Sequence, residues 1–147
     1  PKSRGEVTLE SADPFADPLI DPNFLSHPDD VKDMVDGYKI MMQVLNQKPF
    51  SKYIKEHTHR PVDINNDSDI ELAIREEADT VYHPVGTCKM GSDDMSVVND
   101  RLKVHNMNNL RIVDASIMPT LVGGNTNAPT IMIGEKASDM IKEDWKI

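Results

Sequence analysis

The 147 residues include a single cysteine, Cys88, so an internal disulfide is excluded and cysteine usage points to no redox compartment. Cations are scarce: 16 Lys+Arg against 25 Asp+Glu leave a formal charge of -9. Neutralising phosphates requires clustered cations, so nucleic acid is not an expected partner, and an anionic membrane surface is disfavoured for the same reason. No apolar run approaches the roughly 20 residues of a spanning helix, and the nearest candidate, residues 128–134, contains Pro129 and stops early, so no membrane partner is expected. The opening, Pro1-Lys2-Ser3-Arg4-Gly5, has neither an initiator Met nor an apolar signal core, as expected of a processed start or an excised piece, and the compartment stays open. The seven glycines, at 5, 37, 86, 91, 123, 124 and 134, nowhere form Gly-x-Gly-x-x-Gly, the turn that brings a strand and a helix around a dinucleotide pyrophosphate.

What is present reads as ordered elements without repeats. Glu6-Val7-Thr8-Leu9 alternates like a strand, and Asp13-Pro14, Asp17-Pro18 and Asp21-Pro22 follow at a spacing of four. Each proline removes a donor and keeps the preceding Asp out of the helical region, which predicts an extended wrapping arm over the rest of residues 1–27. Prolines between the carboxylates leave no loop of the calcium-hand type. Ser26-His27-Pro28-Asp29 predicts a helix start with Ser26 as N-cap, and Val31, Met34, Val35, Tyr38, Met41, Met42 and Leu45 form one apolar stripe, its methionines expected in the core. Pro49 is expected to close that helix. His57 and His59, inside a polar stretch, read as loop histidines because no third ligand stands nearby. A second helix is predicted from Ser68-Asp69-Ile70-Glu71, with Ile70, Ala73, Ile74, Ala78 and Val81 on its buried face.

Residues 80–91 read Thr-Val-Tyr-His-Pro-Val-Gly-Thr-Cys-Lys-Met-Gly, where one proline and two glycines predict a compact turn carrying Tyr82 and His83. Leu102-Lys103-Val104-His105 and Leu110-Arg111-Ile112-Val113 predict two strands joined by a turn over residues 106–109. Gly123-Gly124-Asn125-Thr126-Asn127-Ala128-Pro129-Thr130 opens a last helix that runs to about Asp144, with Ile133, Ala137, Met140 and Ile141 on one face. Helices with a few mostly antiparallel strands make the expected fold class α+β.

Two features carry chemistry. One is His83 on a constrained turn; the other is a Gly-Gly-Asn turn leading into a helix N-terminus, whose unpaired N–H groups and partial positive charge favour an anion. Asp114 lies between them at the end of a predicted strand. A histidine, an asparagine and an anion-holding helix end together suit acid/base work on a bound cofactor or substrate. Taken alone, a histidine followed by proline is more often a hydrogen-bonded structural residue than a catalytic one, and Asn125 and Asn127 are equally plain N-caps. A metal protein built on His83, Cys88, His57 and His59 is disfavoured, since His83-x4-Cys88 supplies only two ligands; no metal is expected.

Four ordered blocks resemble the C-terminal portion of the glucose-methanol-choline (GMC) oxidoreductases. They are Tyr82-His83-Pro84-Val85-Gly86-Thr87-Cys88-Lys89-Met90-Gly91, then Leu102-Lys103-Val104-His105, then Asn109-Leu110-Arg111-Ile112-Val113-Asp114-Ala115-Ser116, then Gly124-Asn125-Thr126-Asn127-Ala128-Pro129-Thr130 with Ile131 to Ala137. The last block looks most like the insect glucose dehydrogenase-like branch. Arg4-Gly5-Glu6-Val7 and Ile20-Asp21-Pro22-Asn23-Phe24-Leu25 resemble the start of the same module.

The resemblance implies an FAD enzyme that oxidises a small alcohol or sugar to a carbonyl by hydride transfer to flavin N5. His83 matches the family's base and Asn125 the second catalytic position, where an amide holds oxygen but is no base. Tyr82, Asp114, Ala115, Thr126, Asn127 and Pro129 match cofactor-contacting positions, with the start of the last helix facing the pyrimidine end of the flavin. It further implies that residues 1–80 belong to a substrate domain, that residues 81–147 return to the flavin domain with the His/Asn pair, and that the flavin-binding Rossmann domain is a missing N-terminal partner. Without that domain the chain is expected to hold FAD weakly and to expose an apolar seam at residues 131–133. A non-catalytic relic of the same family is the alternative reading. Asn106 stands where the family usually has Gly and is expected to accept a left-handed backbone; Asn99 replaces a commoner Asp without consequence.

Overall fold

The structure, a computed structural model, describes residues 1–56 and 60–146. His57 and His59 therefore lie outside the described residues. The chain divides into two compact units, Pro1–Asp79 and Thr80–Ile147.

In the first unit, β1 (Glu6–Thr8) pairs antiparallel with β2 (Leu19–Asp21), with Val7 opposite Ile20. The arm expected after β1 thus contains a second strand, because Pro18 and Pro22 only bracket the three residues that pair and leave their amides free to bond. Helix α1 (Pro28–Leu45) starts one residue later than expected, with His27 as N-cap and its Nδ1 accepting from the Asp29 amide. The following Pro28 keeps His27 extended and itself suits the first helical position, which excludes Ser26 from the cap. The helix ends at Leu45, so Pro49 does not close it; Pro49 sits in the first turn of the short α2 (Lys48–Ser51). Helix α3 (Asp67–Glu77) is capped by Asn66 rather than from Ser68, the Asn66 Oδ1 accepting from the Ser68 and Asp69 amides. It stops before Val81: Ala78 is extended, and Glu76 and Glu77 crowd a helix end where the dipole disfavours acids.

Val35, Ile70 and Ile74 form the core of this unit, with Leu25, Tyr38, Val62 and Ile64 packed against it. Met34 and Met41 are exposed, contrary to the expected continuous stripe, because the cluster that α1 forms with α3 takes in the Val35 and Tyr38 side of α1. The N-terminal segment is tied to α1 by the buried Asp30 carboxylate, which accepts from the Lys2 and Ser3 amides and the Ser3 hydroxyl, and these bonds hold it well below the usual carboxylate range.

The second unit is mostly irregular chain around one helix. A single 3-10 turn (Ala115–Ile117) precedes α4 (Asn127–Trp145). Val98, Leu102, Ile117, Met118, Ile133 and Ala137 are the buried cluster. The two strands predicted over residues 102–105 and 110–113 do pair antiparallel, with Val104 N–H donating to the Leu110 carbonyl (3.0 Å) and Ile112 N–H to Leu102 (3.1 Å), but only as an isolated bridge between Lys103 and Arg111. Leu102 is left-handed (φ 62°), which no continuous strand accepts, so the ladder cannot lengthen at that end. Asn106 takes φ 59° in the connecting turn, as expected, and Asn109 does the same. Helices with one small antiparallel sheet make the molecule α+β, with no Rossmann domain in this chain. No helix among the described residues is long and apolar enough to cross a membrane.

Candidate active site

The His83 turn is set by constraints on both sides. Tyr82 is left-handed (φ 60°) and its amide donates to the Thr80 hydroxyl at 3.1 Å. Pro84 follows and biases His83 toward extended backbone. Gly86 takes φ 90°, and a Cβ there would sit 3.2 Å from the Met118 carbonyl, so the position needs glycine for conformation and for close approach. Beyond it the chain is stitched to the 3-10 turn: Cys88 N–H donates to the Ser116 carbonyl (3.0 Å) and Met90 N–H to Ile117 (2.7 Å). Val85, two residues after His83, packs on the cluster that holds Ile117 and Met118. His83 itself is half-buried and Tyr82 is exposed.

The same stitching ties the turn to the 3-10 segment that Asp114 and Ala115 begin. Asp114 caps the 3-10 turn, its Oδ1 accepting from the Ser116 amide at 2.7 Å, and it remains exposed, while Ala115 is half-buried against the core. One residue that sequence reasoning missed stands here: the Ser116 hydroxyl is buried with no hydrogen-bond partner among the described residues. Its only sequence signal was its place beside Asp114, because burial of a small polar side chain follows from long-range packing.

Asn125 is exposed and precedes Thr126, the half-buried N-cap of α4, whose side chain makes no capping hydrogen bond. Asn127 is the exposed first helical residue, and Pro129, half-buried, stands third. The Thr126 carbonyl takes the Thr130 amide (3.0 Å) and hydroxyl (2.7 Å). No acid occupies the first turn, so the partial positive charge of the helix end is not cancelled by its own residues. Among the described residues no hydrogen bond joins His83 to Asn125. Both are tied to the same core: Ile133, about two turns into α4, packs in one cluster with Ile117 and Met118. That packing corrects the expected seam, since Ile133 is core and only Ile131 (59% exposed) and Met132 (56%) face outward.

The far end of α4 carries the densest charge. Asp144 accepts from Arg101 (2.9 Å), Lys103 (2.5 Å) and Arg111, while Arg101 also reaches Glu143 (3.1 Å) and the Met140 carbonyl (3.1 Å). The Lys103 bond first, then Arg111 and Arg101, hold the Asp144 carboxyl down to about 2. Asp93 is likewise lowered to about 2, first by Lys89, then by Ser96 and the Met95 amide, which fastens the loop after the His83 turn. Nothing in the sequence marked the Asp144 cluster, whose members are 33 to 43 residues apart.

The acid-free start of α4 at Asn127 suits an anionic, hydrogen-bonding cofactor edge, while the exposed Asp114 carboxylate can only accept, as from a hydroxyl.

A family model described as GMC oxidoreductase matches residues 1–134. The chain is 51% identical over 141 residues to an alcohol dehydrogenase [acceptor] of Pseudomonas putida, covering 96% of this chain and 26% of that protein. It is 45% identical over 140 residues to an oxygen-dependent choline dehydrogenase of Cronobacter sakazakii, covering 95% and 25%. Among solved structures, an Aspergillus oryzae formate oxidase, a protein whose FAD undergoes modification, superposes with a TM-score of 0.91 at 32% identity, over 97% of this chain and 25% of that one. A pyridoxine 4-oxidase from Mesorbium loti gives 0.84 at 28%, over 95% and 27%. The chain thus spans about a quarter of the length of the curated relatives it matches.

Proposed function

The chain belongs to the GMC oxidoreductase family, and from that premise we propose that it is the substrate-side, catalytic C-terminal part of an FAD-dependent enzyme that oxidises a small alcohol to a carbonyl, with His83 as the base. The observation that supports this reading is the constrained turn that carries a half-buried histidine three residues before Gly86, which closely approaches Met118, and five before Cys88, which is bonded to Ser116. FAD, when bound, would supply the two-electron, hydride-accepting chemistry.

The residues of this chain supply the rest. His83 takes the hydroxyl proton onto a ring nitrogen as the hydride leaves, so substrate loses one proton and one hydride and becomes the carbonyl. An alcohol is a far weaker acid than imidazolium, and the transfer is favourable only if the developing alkoxide is stabilised. A hydrogen bond donated by the Asn125 amide and the charge left on His83 do this. Tyr82, Asp114, Ala115, Thr126, Asn127 and Pro129 would hold the cofactor, and the α4 start would favour negative charge on it by roughly 0.3 to 2 kcal/mol. Residues 1–80 belong to the substrate domain and residues 81–147 return to the flavin domain, with Ile131 and Met132 covered there.

An alcohol is favoured over a sugar because the relatives at 51% and 45% identity are named for alcohol and choline. The sugar reading rests on the wording of residues 124–137, similar to the insect glucose dehydrogenase-like branch. The test is dye reduction by the complete flavoprotein with alcohols and sugars in parallel. Turnover that disappears in His83→Ala supports the reading; correct assembly without turnover in the unaltered protein favours the relic. With no Gly-x-Gly-x-x-Gly turn of its own, the 147-residue chain alone is expected to bind FAD more weakly than micromolar in a fluorescence titration.

A further inference from the structure

We propose that Gly86 is a positioning residue for His83: it lets the turn close onto the Met118 carbonyl, and that closure fixes the stretch of chain that carries the imidazole. This rests on the reading of His83 as the base.

Four of the seven glycines, Gly37, Gly123, Gly124 and Gly134, have open space where a side chain would stand. Gly91 faces the short side chain of Ser96, and Gly5 lies against Asp21 and Pro22 in the first unit. Gly86 combines what none of these does, a positive φ of 90° and a backbone oxygen 3.2 Å from the place of a Cβ. A side chain there is opposed twice. The torsion is one that L-residues disfavour, and one of the two strands of chain in contact has to give by a few tenths of an ångström.

Which strand gives decides what the glycine is for. Met118 is buried in one cluster with Ile117, and its amide is tied to the Ala115 carbonyl at 3.2 Å. The chain after Gly86 is fastened as well: Cys88 and Met90 donate to Ser116 and Ile117, and the Lys89 amide closes the turn on the Gly86 carbonyl at 3.2 Å. The chain before Gly86 is held less. Among the described residues the His83 and Val85 amides donate no hydrogen bond, Pro84 has none to donate, and Val85 is held by the packing of its partly buried side chain. A displacement at Gly86 therefore passes back through Val85 and Pro84, whose ring stiffens the path, and reaches His83. The missing Cβ thus sets where the imidazole lies relative to residues 116–118, and through them relative to the 3-10 segment that Asp114 and Ala115 begin.

The test measures kcat and KM of the complete flavoprotein, per bound flavin, in Gly86→Ala. Ile70→Ala, at a fully buried position of the first unit, is the control for lost stability. Gly86→Ala is expected to lower kcat roughly 10- to 100-fold, the range that small misplacement of a reacting group produces. Its KM should stay within about threefold of that of the unaltered protein. Ile70→Ala should leave kcat per bound flavin unchanged. Undiminished kcat in Gly86→Ala, a loss carried by KM, loss of bound flavin in place of slower turnover, or an equal fall of kcat in Ile70→Ala would each overturn the proposal. If Gly86→Ala does not fold, Gly86→Asn takes its place, since Asn tolerates a positive φ but brings the same Cβ to the Met118 carbonyl. Unchanged turnover in His83→Ala sinks the base assignment itself, whereas a large loss there with full kcat in Gly86→Ala sinks only the role of Gly86.

Discussion

In Pro1–Asp79 two helices with side-chain caps bury Val35, Ile70 and Ile74 between them, whereas in Thr80–Ile147 one helix gathers irregular chain that is held by scattered backbone hydrogen bonds and by ion pairs. The caps show the contrast at small scale. His27 and Asn66 close the starts of α1 and α3, while the Thr126 side chain leaves the start of α4 uncapped. A capped helix has satisfied its own donors; an uncapped one keeps them for something else. The proposed chemistry, from His83 to Pro129, belongs wholly to the second kind of architecture, where loops are aimed by contacts far along the chain.

The comparison can be broken most sharply at His83. His83→Ala should lower turnover of the complete flavoprotein by roughly 10² to 10⁴, and Asn125→Ala should cost less; a larger loss at Asn125, measured by dye reduction, would reverse their roles. Next in size is the core of the first unit. Ile70→Ala, at a fully buried position, should destabilise by about 2 to 5 kcal/mol, read as a lower denaturant midpoint.

A third test uses acid. The folded-state pKa of Asp144 lies below its ordinary value, so its ion pairs stabilise the fold above about pH 4 and that stabilisation is lost as pH falls toward about 2. In Asp144→Asn the stability of the second unit should depend less on pH across that window, and Trp145, the single tryptophan and next in the chain, reports it by fluorescence. An unchanged slope would remove Asp144 from the account. The smallest effect contrasts the caps: Asn66→Ala should cost about 1 kcal/mol, and Thr126→Ala under about 0.5 kcal/mol, in urea unfolding.

Much of the first unit was legible because its order is local. The 3.6-residue spacing of Val31, Val35 and Tyr38 and of Ile70, Ala73 and Ile74 announces two helices. Their starts were misread by a residue or two, since Ser26 and Ser68 compete with His27 and Asn66, and only the observed bonds choose among neighbouring caps. Strand β2 escaped because three residues flanked by prolines carry no pattern, and Met34 and Met41 were misplaced because a periodic stripe does not say how wide its partner is.

In the second unit the residue identities were readable and their arrangement was not. The turn from Tyr82 to Gly91, the left-handed aptitude of Asn106 and the helix from Asn127 all follow from the chemistry of glycine, proline and asparagine at short range. The amino-acid order by itself determined helix period, turn positions and which residue types could do chemistry, because these depend on torsions and contacts within a few residues. Tertiary structure alone decided that residues 88–90 lie along 116–117, that Ser116 is buried, that Tyr82 turns left-handed, and that Asp144 gathers three cations. Each of those depends on groups brought together across tens of residues, where the favourable terms appear only after the chain entropy between them has been surrendered.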